Sequence, residues 1–183
     1  MVTNKRFYTG IGSRDIPTDI GITMRSLAIV LARNGFILRS GGAAGADSAF
    51  EEGCDVEGGG KEIYLPWERF RNNSSTLHYI SPEAIELAED YYGQNWLYTK
   101  TTTKKFMARN MYQVTGQDLN APSEFIICWT PDGCTSMSKR SRVTGGTGQA
   151  IAYGSDLEIP VFNLKNENAY NEIVEHFYNI GIS

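Results

Sequence analysis

Three glycine-rich segments hold the residues of this chain best suited to chemistry: Thr9-Gly10-Ile11-Gly12-Ser13-Arg14, Ser40-Gly41-Gly42-Ala43-Ala44-Gly45-Ala46-Asp47 and Thr144-Gly145-Gly146-Thr147-Gly148-Gln149. Each reads as a turn directly after an apolar strand and just before a helix. Backbone N–H groups and helix dipoles at such turns hold phosphate. In the first turn Gly10 and Gly12 open the backbone, the Ser13 hydroxyl can donate to a phosphate, and Arg14 can add charge-assisted bonds. In the second, Ser40 ends the strand, Gly41, Gly42 and Gly45 allow close approach, and Ala43, Ala44 and Ala46 leave it unobstructed. Asp47 falls in the next helix's first turn, where it either complements the dipole or accepts from a ribose or base edge. The third turn supplies Thr144, Gly145, Gly146, Thr147 and Gly148, with Thr147 and Gln149 as donors to phosphate or sugar and no carboxylate nearby.

The elements that must position these turns alternate. Strands are expected at Arg6 to Ile11, Gly35 to Arg39, Lys61 to Leu65, Glu124 to Trp129 and Ile159 to Leu164. Helical patterns lie between and after them, at Thr18 to Asn34, Ala46 to Cys54, from Ser81, at Thr103 to Val114, Gly148 to Asp156 and Asn168 to Asn179. Ser81-Pro82 is an N-cap followed by proline at the first helical position. The alternation predicts an α/β, three-layer Rossmann-like fold with a mostly parallel sheet and helices on both faces. Trp67 to Tyr79 and Pro131 to Val143 read as surface loops beside the site.

With 183 residues, a single domain over residues 1–183 is expected. No apolar run reaches membrane-span length, so no membrane partner is expected, and the location is read as cytoplasmic. A net charge of -4 gives no global electrostatic footprint for nucleic acid. Basic residues gather locally, at Lys100, Lys104, Lys105 and Arg109 and at Lys139, Arg140 and Arg142. At least one of the second group is expected to face a ligand. Trp67 and Trp129 are the preferred stacking surfaces for a base. Cys54, Cys128 and Cys134 form no CxxC pair and read as reduced thiols, Cys128 in the core and Cys134 exposed. His78 and His176 lack metal-ligand spacing; a solvated or capping role is expected, with no metal and no cofactor. The first turn lacks the third glycine of a dinucleotide fingerprint, and Arg39 stands where an acidic residue would end the second strand, which disfavours a nicotinamide cofactor.

The order of motifs resembles the superfamily uniting DNA-processing protein A with the lonely guy enzymes, and more closely the former. Ile11-Gly12-Ser13-Arg14, Ser40 to Asp47 and Gly60 to Pro66 resemble that family's first three strand ends. Phe106-Met107-Ala108-Arg109-Asn110 resembles its Phe-x-x-Arg-Asn-Arg helix, with Met111 in place of the last arginine, and Thr144 to Ala150 approximates its later Ser-Gly turn. The resemblance runs from about Phe7 to Leu164. It implies a phosphate-binding Rossmann core that takes single-stranded DNA or a nucleotide-type small molecule and forms a homodimer. It adds Arg109 and Asn110 to the site. There is no room for an added winged-helix or N-terminal domain, so a compact stand-alone version is implied, of a kind that suits a viral or mobile-element genome.

Two alternatives come from the same superfamily. A phosphoribohydrolase of lonely guy type would need the glutamate of Gly-Gly-x-Gly-Thr-x-x-Glu. Aligned on Gly145, Gly146 and Gly148, that position is Ala152, which can neither relay a proton nor stabilise an oxocarbenium-like sugar. A non-catalytic role is therefore favoured. The other alternative is a module that senses or sequesters a signalling nucleotide.

Overall fold

A computed structural model of the chain describes residues 5–93 and 95–182. Five strands, β1 (Arg6–Gly12), β2 (Phe36–Ser40), β3 (Lys61–Ile63), β4 (Ile126–Trp129) and β5 (Val161–Asn163), form one sheet in the order β3-β2-β1-β4-β5. Every pairing is parallel. Six helices connect and cover them: α1 (Thr18–Arg33), α2 (Ala46–Val56), α3 (Pro82–Tyr92), α4 (Thr101–Thr115), α5 (Thr147–Asp156) and α6 (Ala169–Asn179).

A parallel sheet buried on both faces needs apolar strands, and β4 is fully buried along Ile126-Ile127-Cys128-Trp129. On one face Tyr8, Phe36, Leu38, Phe125 and Ile127 pack with Met24, Leu31, Phe50, Ile173 and Phe177 from α1, α2 and α6. On the other, Ile11, Ile126 and Cys128 pack with Ala88, Ala108, Met111, Val114 and Ile151 from α3, α4 and α5. This is the expected three-layer Rossmann-like fold.

Local signals explain the element ends. Ser81 caps α3, its Oγ accepting from the Ala84 N–H at 3.2 Å, with Pro82 at the first helical position. β3, β4 and β5 are shorter than their apolar runs suggest, while β1 runs one residue further, to Gly12. β3 stops at Ile63 because the Leu65 N–H turns to the Leu77 carbonyl, at 2.8 Å, outside the sheet. β2 ends on Ser40, one residue later than expected, because Ser40 still pairs with Ile63. Arg39 is buried, bonded to Glu62 at 2.8 Å and laid over the Phe7 ring at 3.8 Å.

Chain direction reverses at one place. From β1 the chain moves outward through α1, β2, α2 and β3, then returns through α3 and α4 to β4 on the other side of β1. The carboxyl ends of β1 and β4 therefore feed connections that diverge, and the crevice between them is the usual ligand position in such sheets.

Candidate functional site

A cavity of about 700 Å³ opens at that crevice, within the ~300–1,000 Å³ common for ligand sites. Its walls are the first turn (Gly12 to Asp15), the start of α5 with the turn before it (Val143 to Thr147), and α4 through Thr103, Phe106, Met107, Arg109, Asn110 and Gln113. Trp129 and Ala43 with Asp47 close the base. Of the residues singled out by sequence, Gly12, Ser13, Arg14, Asp47, Arg109, Asn110, Thr144, Gly145, Gly146 and Thr147 line this one cavity.

Gly10, Ser40, Gly41, Gly42, Gly45 and Gly148 do not line it. Gly10 packs under Phe50 and Leu38, and the Ser40 hydroxyl donates to the Gly10 carbonyl at 2.7 Å. Gly42 packs against Leu65, and Gly148 against Thr144 and Arg140. Gly45 has φ +75°, and a Cβ there would lie 2.3 Å from the Arg14 carbonyl oxygen, so only glycine fits. The Ala46 N–H donates to the Ser13 carbonyl at 3.1 Å and the Ser13 N–H to the Trp129 carbonyl at 3.0 Å, which joins the first two turns and β4. The second turn thus supports the cavity from beneath more than it lines it.

Gly41 is a space for an arginine. A Cβ at position 41 would lie 1.2 Å from Arg109 Nη1. The guanidinium lies over the Gly41 backbone, 3.6 Å from Asp47 Oδ2, with the two side chains only 7% and 5% exposed. In the amide orientation that satisfies its neighbours, the Gln113 oxygen accepts from the Gly41 N–H at 2.9 Å and Arg109 Nη1 at 3.0 Å, while its nitrogen donates to Asn110 Oδ1 at 3.1 Å. Among the described residues Arg109 Nε is buried with no partner. Burial lowers the Arg109 pKa, the Asp47 carboxylate opposes this, and the Arg14 guanidinium adds to the lowering. Burial likewise raises the Asp47 pKa, against the pull of Arg109 and of the Ala43 and Gly41 N–H groups. Arginine does not deprotonate in proteins, so Arg109 is a desolvated cation with donor capacity to spare.

Arg14 is exposed and lies 5.5 Å from the centre of the Phe106 ring, with Arg109 at 5.8 Å. Phe106 in turn meets Trp67 and Phe70 edge-on, at 5.2 and 5.5 Å. An aromatic ring with two guanidiniums within 6 Å can offer a base a stacking surface and its phosphate a cation. Sequence reasoning preferred Trp67 and Trp129 for this role. Trp67 backs Phe106 without lining the cavity, and Trp129 lines it but is only 8% exposed. Phe106 was hidden inside the arginine-helix motif; its position three residues before Arg109 is the signal that points to it.

The third turn differs from expectation in two respects. It does not follow its strand directly, because residues 130–143, with a 3₁₀ turn at Met137–Lys139, intervene and a second at Arg142–Thr144 leads into it. It also has a carboxylate beside it. Asp132 accepts from Thr130 Oγ1 at 2.8 Å, from Ser141 Oγ at 2.5 Å and from the Thr144 hydroxyl. Burial pushes the Asp132 carboxyl up, but the bonds from Ser141, Thr144, Thr130 and the Cys134 N–H outweigh it and bring the pKa down to about 2. Spacing along the chain concealed this, since Asp132 precedes Thr144 by a whole loop.

Above Asp132, α5 begins without a side-chain cap. Among the described residues, the Gly145, Gly146 and Thr147 N–H groups donate to no other group, and all three residues line the cavity. Asn110 fixes the turn by donating to the Gly146 carbonyl at 3.1 Å. Unfilled amides at a helix N-terminus suit an anion.

Several other expectations resolve differently. Cys134 is buried, because its N–H and carbonyl join the Thr130–Asn163 network: Asn163 Nδ2 donates to the Cys134 carbonyl at 2.8 Å. His176 neither caps nor stands free in solvent; its ring packs on Phe125 and Phe162 at 5.2 Å. Lys139, Arg140 and Arg142 lie outside the main cavity, as do Lys100, Lys104 and Lys105. Among the described residues no group of His, Cys, Asp and Glu is arranged to hold a metal, and no helix is long and apolar enough to cross a membrane.

No protein-family model and no curated protein matches this sequence. In structure, the chain is similar to DNA processing protein A from Helicobacter pylori, a protein described for a unique mode of binding single-stranded DNA. The two share 21% identity over 93% of this chain and 72% of that one, with a TM-score of 0.52. The α/β architecture that the order of glycine turns pointed to is thus the Rossmann-like fold also found in DNA processing protein A.

Proposed function

We propose that the cavity binds a phosphate-bearing ligand of nucleic-acid type, single-stranded DNA foremost, and holds it without turnover. The observation that carries this reading is the Arg109 guanidinium, buried with its Nε unpartnered, in a cavity that also presents the unfilled Gly145, Gly146 and Thr147 amides. Leaving a buried donor unfilled costs ~1–3 kcal/mol, and a phosphate oxygen would recover that cost on binding. Arg14 adds a second, exposed cation and Phe106 a ring for a base. The single-stranded DNA binding of the structural neighbour supports a strand as the ligand. Binding without turnover is supported by Ala152, a methyl side chain at the position aligned with the glutamate of the hydrolase turn.

The test is fluorescence anisotropy with a labelled oligothymidylate between about 50 and 200 mM salt, the range over which phosphate contacts lose most of their affinity. Binding that weakens with salt, and several-fold more weakly in Arg14→Ala, is expected; Arg14 is exposed, so that variant keeps the fold. No binding at low salt would overturn the nucleic-acid reading. Tight, salt-insensitive binding of a mononucleotide alone would replace it with a nucleotide-sensing module.

A further inference from the structure

A second depression, of about 420 Å³, lies beside the first. Tyr92, Asn95, Arg140, Ser141 and Arg142 line it, and it shares Met107, Gly145 and Gly146 with the larger cavity. The third glycine turn and the Met107 side chain therefore form a low ridge between two parts of one surface. The ridge bears the unfilled amides of Gly145 and Gly146.

Charge distinguishes the two parts. The larger cavity holds Arg14 and Arg109 with Asp15 and Asp47, whereas Arg140 and Arg142 line the smaller one with no carboxylate among its described lining residues. Neither arginine forms an ion pair among the described residues. Arg140 is half-buried and held in place by one bond, from Nη1 to the Tyr91 carbonyl at 2.6 Å, while Arg142 is exposed. Asp132 draws the Ser141 and Thr144 hydroxyls toward itself and so fixes the short turn that carries Arg142. A cation anchored through a single donor keeps the rest of its fork for an incoming acceptor.

We infer that the smaller depression receives the next phosphate of a single strand that passes over Gly145 and Gly146, with Arg140 and Arg142 as its cations. The inference rests on the nucleic-acid reading of the main cavity and deepens it: the ligand is an oligonucleotide spanning both depressions, not a mononucleotide filling one. Each phosphate neutralised along a single strand contributes ~0.7 to the slope of log affinity against log salt.

The experiment compares wild type, Arg14→Ala, Arg142→Ala and Arg142→Glu in two assays: binding of a short labelled oligothymidylate across a salt series, and its displacement by thymidine monophosphate. Arg142 is exposed and has no ion pair among the described residues, so both of its variants keep the fold. Arg142→Ala is expected to weaken strand binding several-fold and lower the salt slope by ~0.7, with the mononucleotide's own dissociation constant, obtained from the displacement after allowing for strand affinity, unchanged. Arg142→Glu weakens strand binding further, and Arg14→Ala weakens both ligands. If both Arg142 variants bind the strand as wild type does while Arg14→Ala is impaired, the second subsite is refuted and the main cavity stands. If Arg14→Ala is also unimpaired, or wild type binds no strand, the nucleic-acid reading falls and takes this inference with it.

Discussion

Replacing Gly41 with alanine adds one methyl group at the most sensitive point of the cavity floor. Gly41 does not have a positive φ, so the backbone accepts a Cβ; the penalty is wholly one of space. That Cβ would lie 1.2 Å from Arg109 Nη1 and 2.4 Å from both Arg109 Cζ and the Gln113 side-chain amide. The guanidinium must leave, and with it goes the charge that compensates buried Asp47 at 3.6 Å. Overpacking alone costs ~1–3 kcal/mol, and breaking a buried ion pair costs ~3–5 kcal/mol. Relief by partial movement brings the expected loss to about 3 kcal/mol. Urea unfolding of Gly41→Ala measures it. The same substitution in an Asp47→Ala/Arg109→Ala background, where neither charge remains, is expected to cost less by about 1–3 kcal/mol, the coupling typical of residues in contact. Equal cost in the two backgrounds would refute the claim that Gly41 exists to seat Arg109.

Two further outcomes concern the loop behind the third turn and the buried thiols. The Asp132 pKa is depressed from 3.8 to about 2, so its contribution to stability is fully present above about pH 4 and is lost as pH falls through 2. Urea unfolding of wild type and Asp132→Asn across that range should show curves that converge in acid. At neutral pH the gap should be under about 1 kcal/mol, because solvent screens an exposed carboxylate; a constant gap at all pH values would contradict this. Burial raises the pKa of all the cysteines, with Cys54 pushed up to about 11, and each is buried. A thiol reagent at neutral pH should therefore label native protein slowly and all three sites once unfolded. Rapid labelling of Cys134 in the native state would place its loop in solvent.

The layered architecture was legible because it depends on local periodicity. Apolar runs of strand type alternated with helical patterns, and Ser81-Pro82 marked the start of α3 as capping chemistry predicts. The strand ends feeding the cavity were legible too, since glycine turns after β1 and β2 stand where a parallel sheet gathers its connections. What the sequence hid were pairings across long separations. Asp47 is held by Arg109 from a different layer, so nothing local separates a dipole-complementing aspartate from a buried ion-pair partner. Gly41, Gly42 and Gly45 look like a phosphate loop, but their space is filled by Arg109, Leu65 and the Arg14 backbone. Asp132 reaches Thr144 only because the loop between them folds back, and Cys134 is buried because Asn163 on β5 bonds its carbonyl. Composition and spacing carry no record of such closures.

In the proposed function a strand of nucleic acid docks on Arg109 and the amides at the start of α5. Two-dimensional ¹H–¹⁵N NMR during titration with a short oligothymidylate tests it most directly. The Gly145, Gly146 and Thr147 amides and the Arg109 Nε–H, all without partners among the described residues, are expected to shift together and early in the titration. Binding accompanied by shifts elsewhere, with these four signals unmoved, would contradict it.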